Sequence, residues 1–489
     1  MAINILLKNR KSSLTTIIKS NYSMEQFSME VSKETSKEKP KNSWRYVDSS
    51  KYQVHVTISP SIDPTIILEE EITNKGVVYM EDLEKREEVY GICGECNEPG
   101  TGKKWCQFCN SKRLQENFEN WTSENKEIDE LLQYSQLNAV YYTKCLEWIP
   151  FENFQNVTYV DEGGFGKIYA ADWHDGYIEC WSIESQKWIR SSNKRVVLKS
   201  LNHSFDISTE FLDEIKSQLH IYFENIISYY GITQDPNTKD YMVVLEYCMD
   251  GNLRHYYLNQ QPEYNSKIYD LLAIAKGLMN IHDADKVHKN FHPGNILFKN
   301  YYPYISDVGI CQPANKEQSI KGQIYGVLPY TAPEVLRNHQ YTKESDIFSF
   351  GVIMNEFISE EIPFSDIPHD YILAENICKG FRPKIYKGTP KLFEDLIVKC
   401  WDSKAENRPT IKELYQMLKE WDDEKLNNDS EIFSQVKEWK QIRENEYKSG
   451  SNKNKSKNIS IHSQAFYVSK LLDFQNLSEP INSSDSGNV

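Results

Sequence analysis

The chain has 489 residues, too many for a single hydrophobic core, so two or three folded units are expected. Its 56 Lys and Arg residues against 71 Asp and Glu give a net charge of −15, which argues against general binding to nucleic acid or anionic membranes. No run of about 18 apolar residues occurs, so no transmembrane helix is expected. Apart from one group of four, the ten cysteines are scattered, which suggests reduced thiols and a cytoplasmic location.

Residues 1–50 read as a disordered tail rich in Ser, Lys, Glu and Asn, with no sustained apolar period. Lys8, Arg10, Lys11 and Lys19 stand there without an acid among the first 24 residues. Mitochondrial presequences share that pattern, and so do plain basic tails; the tail is the stronger reading. Residues 51–115 form the next unit. Alternation such as Val54-His55-Val56-Thr57-Ile58 predicts short strands. Cys93-Gly94-Glu95-Cys96 and Cys106-Gln107-Phe108-Cys109 come next, separated by nine residues. Paired C-x-x-C turns each aim two sulfurs at one point, as a closed Cys₄ zinc site requires. Disulfides or a redox pair are the alternatives, and the reducing location favours structural Zn²⁺. Asn97 and Asn110, one after each pair, tolerate the left-handed turn that would aim backbone N–H groups at sulfur.

Residues 116–150 read as a helical linker, with Ile128, Leu131, Leu132 and Leu137 in a partly helical period and Trp121 and Trp148 as large groups to bury. It either docks the cysteine unit on the C-terminal region or acts as a spacer. From 151 to 424 a succession of motifs appears in a fixed order. Asp161-Glu162-Gly163-Gly164-Phe165-Gly166-Lys167-Ile168 is a glycine-rich turn, where missing Cβ atoms let backbone N–H groups approach phosphate. His174 to Asn193, with Trp181, Trp188 and Tyr177, reads as a hairpin extension that packs on the neighbouring sheet or receives a partner. Val196-Val197-Leu198-Lys199 reads as a strand ending in a lysine, and Leu212-Asp213-Glu214-Ile215-Lys216 belongs to the next helix. Val243-Val244-Leu245-Glu246-Tyr247-Cys248, Val287-His288-Lys289-Asn290-Phe291-His292-Pro293-Gly294-Asn295, Ser306-Asp307-Val308-Gly309 and Ala332-Pro333-Glu334 complete the series, with Asp346, Cys400-Trp401 and Arg408-Pro409 beyond.

Together these motifs resemble the eukaryotic protein kinases, and in detail the tyrosine-kinase-like group of Ser/Thr kinases. The resemblance implies an α+β chain with a two-lobed kinase fold, a β-rich N-lobe and a helical C-lobe, and the cysteine pairs place a small zinc-ribbon-like module before it. The resemblance also implies ATP and Mg²⁺ as cofactors and a protein substrate or partner, while the acidic charge and the lack of a long apolar run point to no nucleic acid and no membrane. Glu162, Gly163, Gly164, Phe165, Gly166 and Ile168 would cover the phosphates, and Lys199, paired by Glu214, would reach the α and β phosphates. Leu245, Glu246 and Cys248 would line the adenine site, and Asn295 and Asp307 would hold Mg²⁺. Arg408 would pair with Glu334.

The acceptor side departs from the family. Asn290 stands where the family has the Asp that takes the acceptor hydroxyl's proton, and His292 replaces a lysine. Lys289 replaces the arginine whose planar fork grips a phosphorylated loop, Val327 a hydrogen-bonding threonine, and Val308 the usual Phe. Ser319 and Tyr325 are candidate phosphosites. General acid–base catalysis is worth about 10²–10⁴-fold, so losing it impairs but does not abolish transfer. Two readings result: a nucleotide-binding pseudokinase that scaffolds or regulates a partner, and a slow Ser/Thr kinase. Residues 425–489 form a polar tail with a linker over 448–455. There Ile461, Ala465, Val468 and Leu472 predict a short amphipathic helix that docks on a partner or on the C-lobe.

Overall fold

The computed structural model describes residues 40–49, 51–58, 76–163, 166–200, 212, 215–216, 219, 221–222, 224–260, 262–307, 312–313, 324–448 and 461–482. The expectations for residues 1–39, Gly164, Phe165, Glu214, Val308, Gly309, Ser319 and most of the 448–455 linker lie outside these residues.

The first folded unit begins earlier than the sequence suggests. β1 (Ser43–Trp44) pairs antiparallel with β2 (Gly91–Ile92), and Val47 is buried with Val56, Val78, Val89 and Tyr90. The stretch before residue 51 is therefore not tail throughout, because its apolar residues have this small core to join. Gly91 sits at φ +80 where a Cβ would meet Ser43 O at 2.1 Å, so only glycine lets the two strands close. α1 (Leu83–Tyr90) is capped by Asp82, and α2 (Gln107–Glu116) starts after Cys106. Buried Arg86 ties the unit together by donating to the carbonyls of Met80, Pro99 and Gly100. α3 (Lys126–Leu137) turns Ile128, Leu131 and Leu132 onto Tyr229, Ile232, Tyr241 and Val243, so this segment is a packed strut.

A six-stranded sheet comes next, in the order β3 (Glu147–Trp148), β9 (Tyr229–Gln234), β10 (Tyr241–Glu246), β8 (Lys194–Ser200), β5 (Gly166–Trp173), β4 (Phe154–Gly163). Only β3 and β9 run parallel; the other pairs are antiparallel. β8 alternates buried and accessible residues, with Val196 and Leu198 in the core and Val197 and Lys199 on the other face. β6 (Tyr177–Ser182) and β7 (Lys187–Ser191) form the separate hairpin expected between His174 and Asn193. It packs onto the cysteine unit as well as the sheet: Trp188 stacks with Trp105 at 6.0 Å, and the Arg113 guanidinium lies 4.3 Å from the Trp181 ring.

The remainder is helical. α4 (Leu253–Gln260), α5 (Tyr264–Asp283), α6 (Lys343–Ser359), α7 (Tyr371–Cys378), α8 (Lys391–Cys400), α9 (Ile411–Glu424) and α10 (Glu431–Lys448) enclose the largest core. α6 is buried from Ser345 to Ser359, as a central helix must be, and a Thr342–Ser345 capping box fixes its start. Three short pairs decorate the face towards the sheet: β11 (Lys286–Val287) with β14 (Gln312–Pro313), β12 (Ile296–Lys299) with β13 (Tyr302–Ile305), and β15 (Ile324–Gly326) with β16 (Lys470–Leu472). The expected bidentate pair forms, with Arg408 Nη1 and Nη2 at 2.6 and 2.9 Å from the Glu334 oxygens.

β16 corrects the reading of the tail. Residues 461–472 contain no helix; a turn at 463–464 leads to the strand at Lys470–Leu472, Leu472 is buried, and Ile461 and Val468 stay exposed. A short isolated helix is costly to nucleate, whereas the open edge of β15 offers ready partners for an extended chain.

Candidate functional site

The site is built on the loop after β11. Asp346, at the buried start of α6, accepts the backbone N–H groups of His288 at 2.8 Å and Lys289 at 3.0 Å. It also contacts His282 Nε2 at 2.9 Å. One carboxylate thus holds the loop in a bend where Lys289 takes φ +69. Asn295 Nδ2 donates to the Asn290 carbonyl at 2.9 Å, and the Asn295 carbonyl accepts from the Ser306 N–H at 2.8 Å. This ties Asn290, Asn295 and Asp307 into one frame.

Two of the predicted cofactor residues meet directly. Lys199, on β8 opposite Ile168 and Val243, forms an ion pair with Asp307. Burial pushes the Asp307 carboxyl up, but Lys199 and then His288 and His292 outweigh it, leaving a net lowered pKa. Asp307 is therefore an ionised oxygen donor at neutral pH. Asn295, whose carbonyl accepts the N–H of Ser306 just before Asp307, offers a second oxygen-bearing side chain, and such a donor set suits a hard cation such as Mg²⁺. Glu162 and Gly163 pair with Lys167 and Gly166 in the β4–β5 hairpin, which places the glycine-rich turn at one end of the strand bearing Ile168 and opposite Lys199. Glu246, at the end of β10, forms an ion pair with Lys299, Leu245 packs against the N-terminal sheet core, and burial lifts the Cys248 thiol to about 12.

Beside Asn290 and His292 lies a residue that sequence reasoning missed. The Ser469 hydroxyl donates to Asn290 Oδ1 at 2.8 Å, and His292 Nε2 lies 3.5 Å from the Ser469 hydroxyl oxygen. Asn290 and His292 are both buried. Burial, and then the proximity of His288, draws the His292 imidazole down to about 3, so it is neutral at pH 7. The Gly294 N–H donates to His292 Nδ1 at 3.1 Å, which places the ring proton on Nε2, facing Ser469. Ser469 is held by one acceptor and one donor, and neither takes its proton. No local periodicity flags Ser469; the nearest signal is the apolar Leu471-Leu472 beside it.

The four cysteines converge as expected. Their Sγ atoms all lie within 4.8 Å of one another, with Cys93–Cys109 at 3.8 Å and Cys96–Cys106 at 3.6 Å. Sulfurs around a tetrahedral zinc, each about 2.3 Å from the metal, stand roughly 3.8 Å apart, whereas a disulfide requires about 2.05 Å. All nine described cysteines are free thiols. Hydrogen bonds to Cys106 and Cys109 draw the Cys93 thiol down, and the hydrogen bonds Cys109 makes to Cys106 and Cys93 push Cys109 up. The two knuckles differ: Asn97 adopts φ +60 after the first pair, but Asn110 lies inside α2, so the second pair opens a helix and not a second ribbon turn.

A family model described as protein tyrosine and serine/threonine kinase matches residues 154–418, more than half of the chain. The chain is 27% identical over 280 residues to the serine/threonine-protein kinase VIK of Arabidopsis thaliana, covering 54% of this chain and 59% of that one. It is 25% identical to mitogen-activated protein kinase kinase kinase 12 of Rattus norvegicus (56% of this chain, 32% of that one). It is 24% identical to tyrosine-protein kinase SPK-1 of Girardia tigrina (55% and 53%). The chain thus covers less than two thirds of each of these relatives. Among the described residues no helix is long and apolar enough to cross a membrane.

Proposed function

The chain belongs to the protein tyrosine and serine/threonine kinase family, and from that premise we propose that it is a nucleotide-binding pseudokinase that regulates or scaffolds a protein partner. The observation that carries this reading is the environment of Ser469. A hydroxyl at the acceptor position meets the amide oxygen of Asn290 and a neutral His292, with no carboxylate bonded to it among the described residues and no fixed cation from His292. The nucleotide side is better furnished. Lys199 supplies a cation for phosphate, Asp307 and Asn295 supply oxygens for Mg²⁺, and the glycine-rich turn supplies backbone donors. Mg²⁺ bound there would neutralise phosphate charge. Cys93, Cys96, Cys106 and Cys109 would hold one structural zinc, closed to substrate because all four positions are filled by sulfur. Free thiols at all nine described cysteines fit a reducing, cytoplasmic setting.

Retention of the Lys199–Asp307 pair favours a second reading, a slow Ser/Thr kinase. Loose transition states depend mainly on positioning and charge, so residual transfer survives loss of the base. Phosphate transfer from labelled ATP by the purified chain separates the two, with Lys199→Met as control. The pseudokinase reading expects the two to be equal, together with a thermal shift on Mg·ATP in the unsubstituted chain.

A further inference from the structure

The C-terminal segment crosses the face where a partner polypeptide would have to lie. Lys470, Leu471 and Leu472 pair with Gly326, Tyr325 and Ile324 as an antiparallel strand, and this leads Ser469 directly onto Asn290. Before it, the Tyr467 ring lies 4.4 Å from the Arg254 guanidinium and its hydroxyl donates to the Pro363 carbonyl at 2.8 Å. Arg254 is itself fixed by buried Glu356 at 2.8 Å. Downstream, Leu472 and Leu477 are buried in the C-lobe core, and Arg337 forms an ion pair with Glu479.

We propose that residues 466–472 are this chain's own occupant of the acceptor groove, with Ser469 as a captured acceptor hydroxyl. The groove then takes an extended polypeptide with a Ser or Thr hydroxyl at the Asn290 position and a leucine three residues later. Two features distinguish this from a tail that merely packs on the lobe. Of the segment's two hydroxyls, the Tyr467 phenol is bound to the Pro363 carbonyl, and the aliphatic one, Ser469, is the group that meets Asn290 and His292. The residues around it, Val468, Lys470 and Leu471, are exposed, so the strand is held by its backbone and by Ser469 and Leu472. Backbone pairing of an added strand gives affinity, and the pockets for alternate side chains give selectivity. A partner enters only when the segment leaves.

The proposal rests on Asn290 marking the acceptor position, as the pseudokinase reading does, but it involves no nucleotide. Its test uses the full chain and a full-chain variant carrying Lys470→Pro and Leu471→Pro. Successive residues of a strand point their N–H groups alternately towards and away from the partner strand, so the double change must remove a ladder bond. Both side chains are exposed, so the core is spared. The probe is a fluorescent peptide with the sequence of residues 464–480. We expect it to bind the variant at least 10-fold more tightly than the unsubstituted chain, and to lose at least threefold of that affinity when the peptide carries Ser469→Ala, with its Ser478 kept. Equal affinity for the two chains, or indifference to the serine, overturns the proposal. Should the variant not fold, amide exchange of the unsubstituted chain decides. Protection at 470–472 and at 324–326 is required, and exchange at the rates of an unstructured peptide sinks the idea. A failed peptide experiment leaves any thermal shift on Mg·ATP untouched, and a missing shift leaves the peptide result untouched, so the two readings fail separately.

Discussion

Lys199 and Asp307, 108 positions apart in sequence, form a direct ion pair with both side chains mostly buried. Removing one member of such a pair costs about 3–5 kcal/mol, because it leaves the other charge buried without its counter-ion. Lys199→Met is therefore expected to destabilise the chain by an amount on that order, and adding Asp307→Asn to recover much of it. Thermal unfolding of the two single variants and the double one measures the coupling. Additive losses would mean that the pair is not coupled in solution.

Asn290→Asp is expected to act in two opposing ways. A carboxylate makes a stronger, charge-assisted acceptor for Ser469, so the segment is held more tightly. The same carboxylate supplies the missing base, a gain of up to about 10²-fold. Phosphate transfer to an added peptide should rise only when Asn290→Asp is combined with Lys470→Pro and Leu471→Pro. An equal rise in the chain with an unsubstituted tail would separate the base effect from the captured segment and contradict the account.

Asp270, within α5, is buried, and its Oδ2 has no hydrogen-bond partner among the described residues. Burial raises its carboxyl to about 8, against the pull of Lys267 and Lys425. The folded chain thus binds a proton that the unfolded chain releases near pH 3.8. That contribution is full below about pH 4, falls as pH rises, and is lost by about pH 8. Asp270→Asn should stabilise the chain at pH 7 by up to about 4 kcal/mol and leave it nearly unchanged at pH 4. The opposite sign applies to His55 and His292, both drawn down to about 3 mainly by burial. Their neutral forms stabilise above about pH 6.5, and that stability is lost as pH falls towards 3. Unfolding midpoints of the Asp270→Asn and parent chains across this range check both signs. A constant difference between the two would exclude Asp270 as the source.

Zinc analysis of reduced protein should give about one metal per chain, as a closed Cys₄ site requires. Arg113 pairs with Glu95, between two of the cysteines, and lies over Trp181, so chelation should also loosen the β6–β7 hairpin and change tryptophan fluorescence. Metal-free protein with unchanged fluorescence and unfolding would contradict the structural role.

Much of the fold was legible because its signals are local. The alternation around Lys199, the apolar face of α5 and the two C-x-x-C turns each declare a strand, a helix or a knuckle within a few residues. Pairings such as Arg408 with Glu334 came from the order of the motifs. The features that escaped were set by chain closure. Ser469 and Asn290 are 179 residues apart, and nothing near Ser469 encodes the edge of β15 that straightens its segment. Ile461, Ala465, Val468 and Leu472 have helical spacing, but only Leu472 found a core to enter. The docking of Trp188 on Trp105 escaped for the same reason, since an aromatic in a hairpin does not announce which neighbour will cover it.

On the pseudokinase reading, this kinase-family chain holds nucleotide but does not transfer phosphate efficiently. The most direct test is the rate of transfer from labelled ATP to a generic peptide, measured on the Lys470→Pro, Leu471→Pro chain so that the groove is open, with Lys199→Met in the same background as control. The account predicts a thermal shift with Mg·ATP and a transfer rate indistinguishable from the control. Transfer at ordinary kinase rates, about 1–100 per second, would contradict it and make the chain an enzyme restrained only by its own tail.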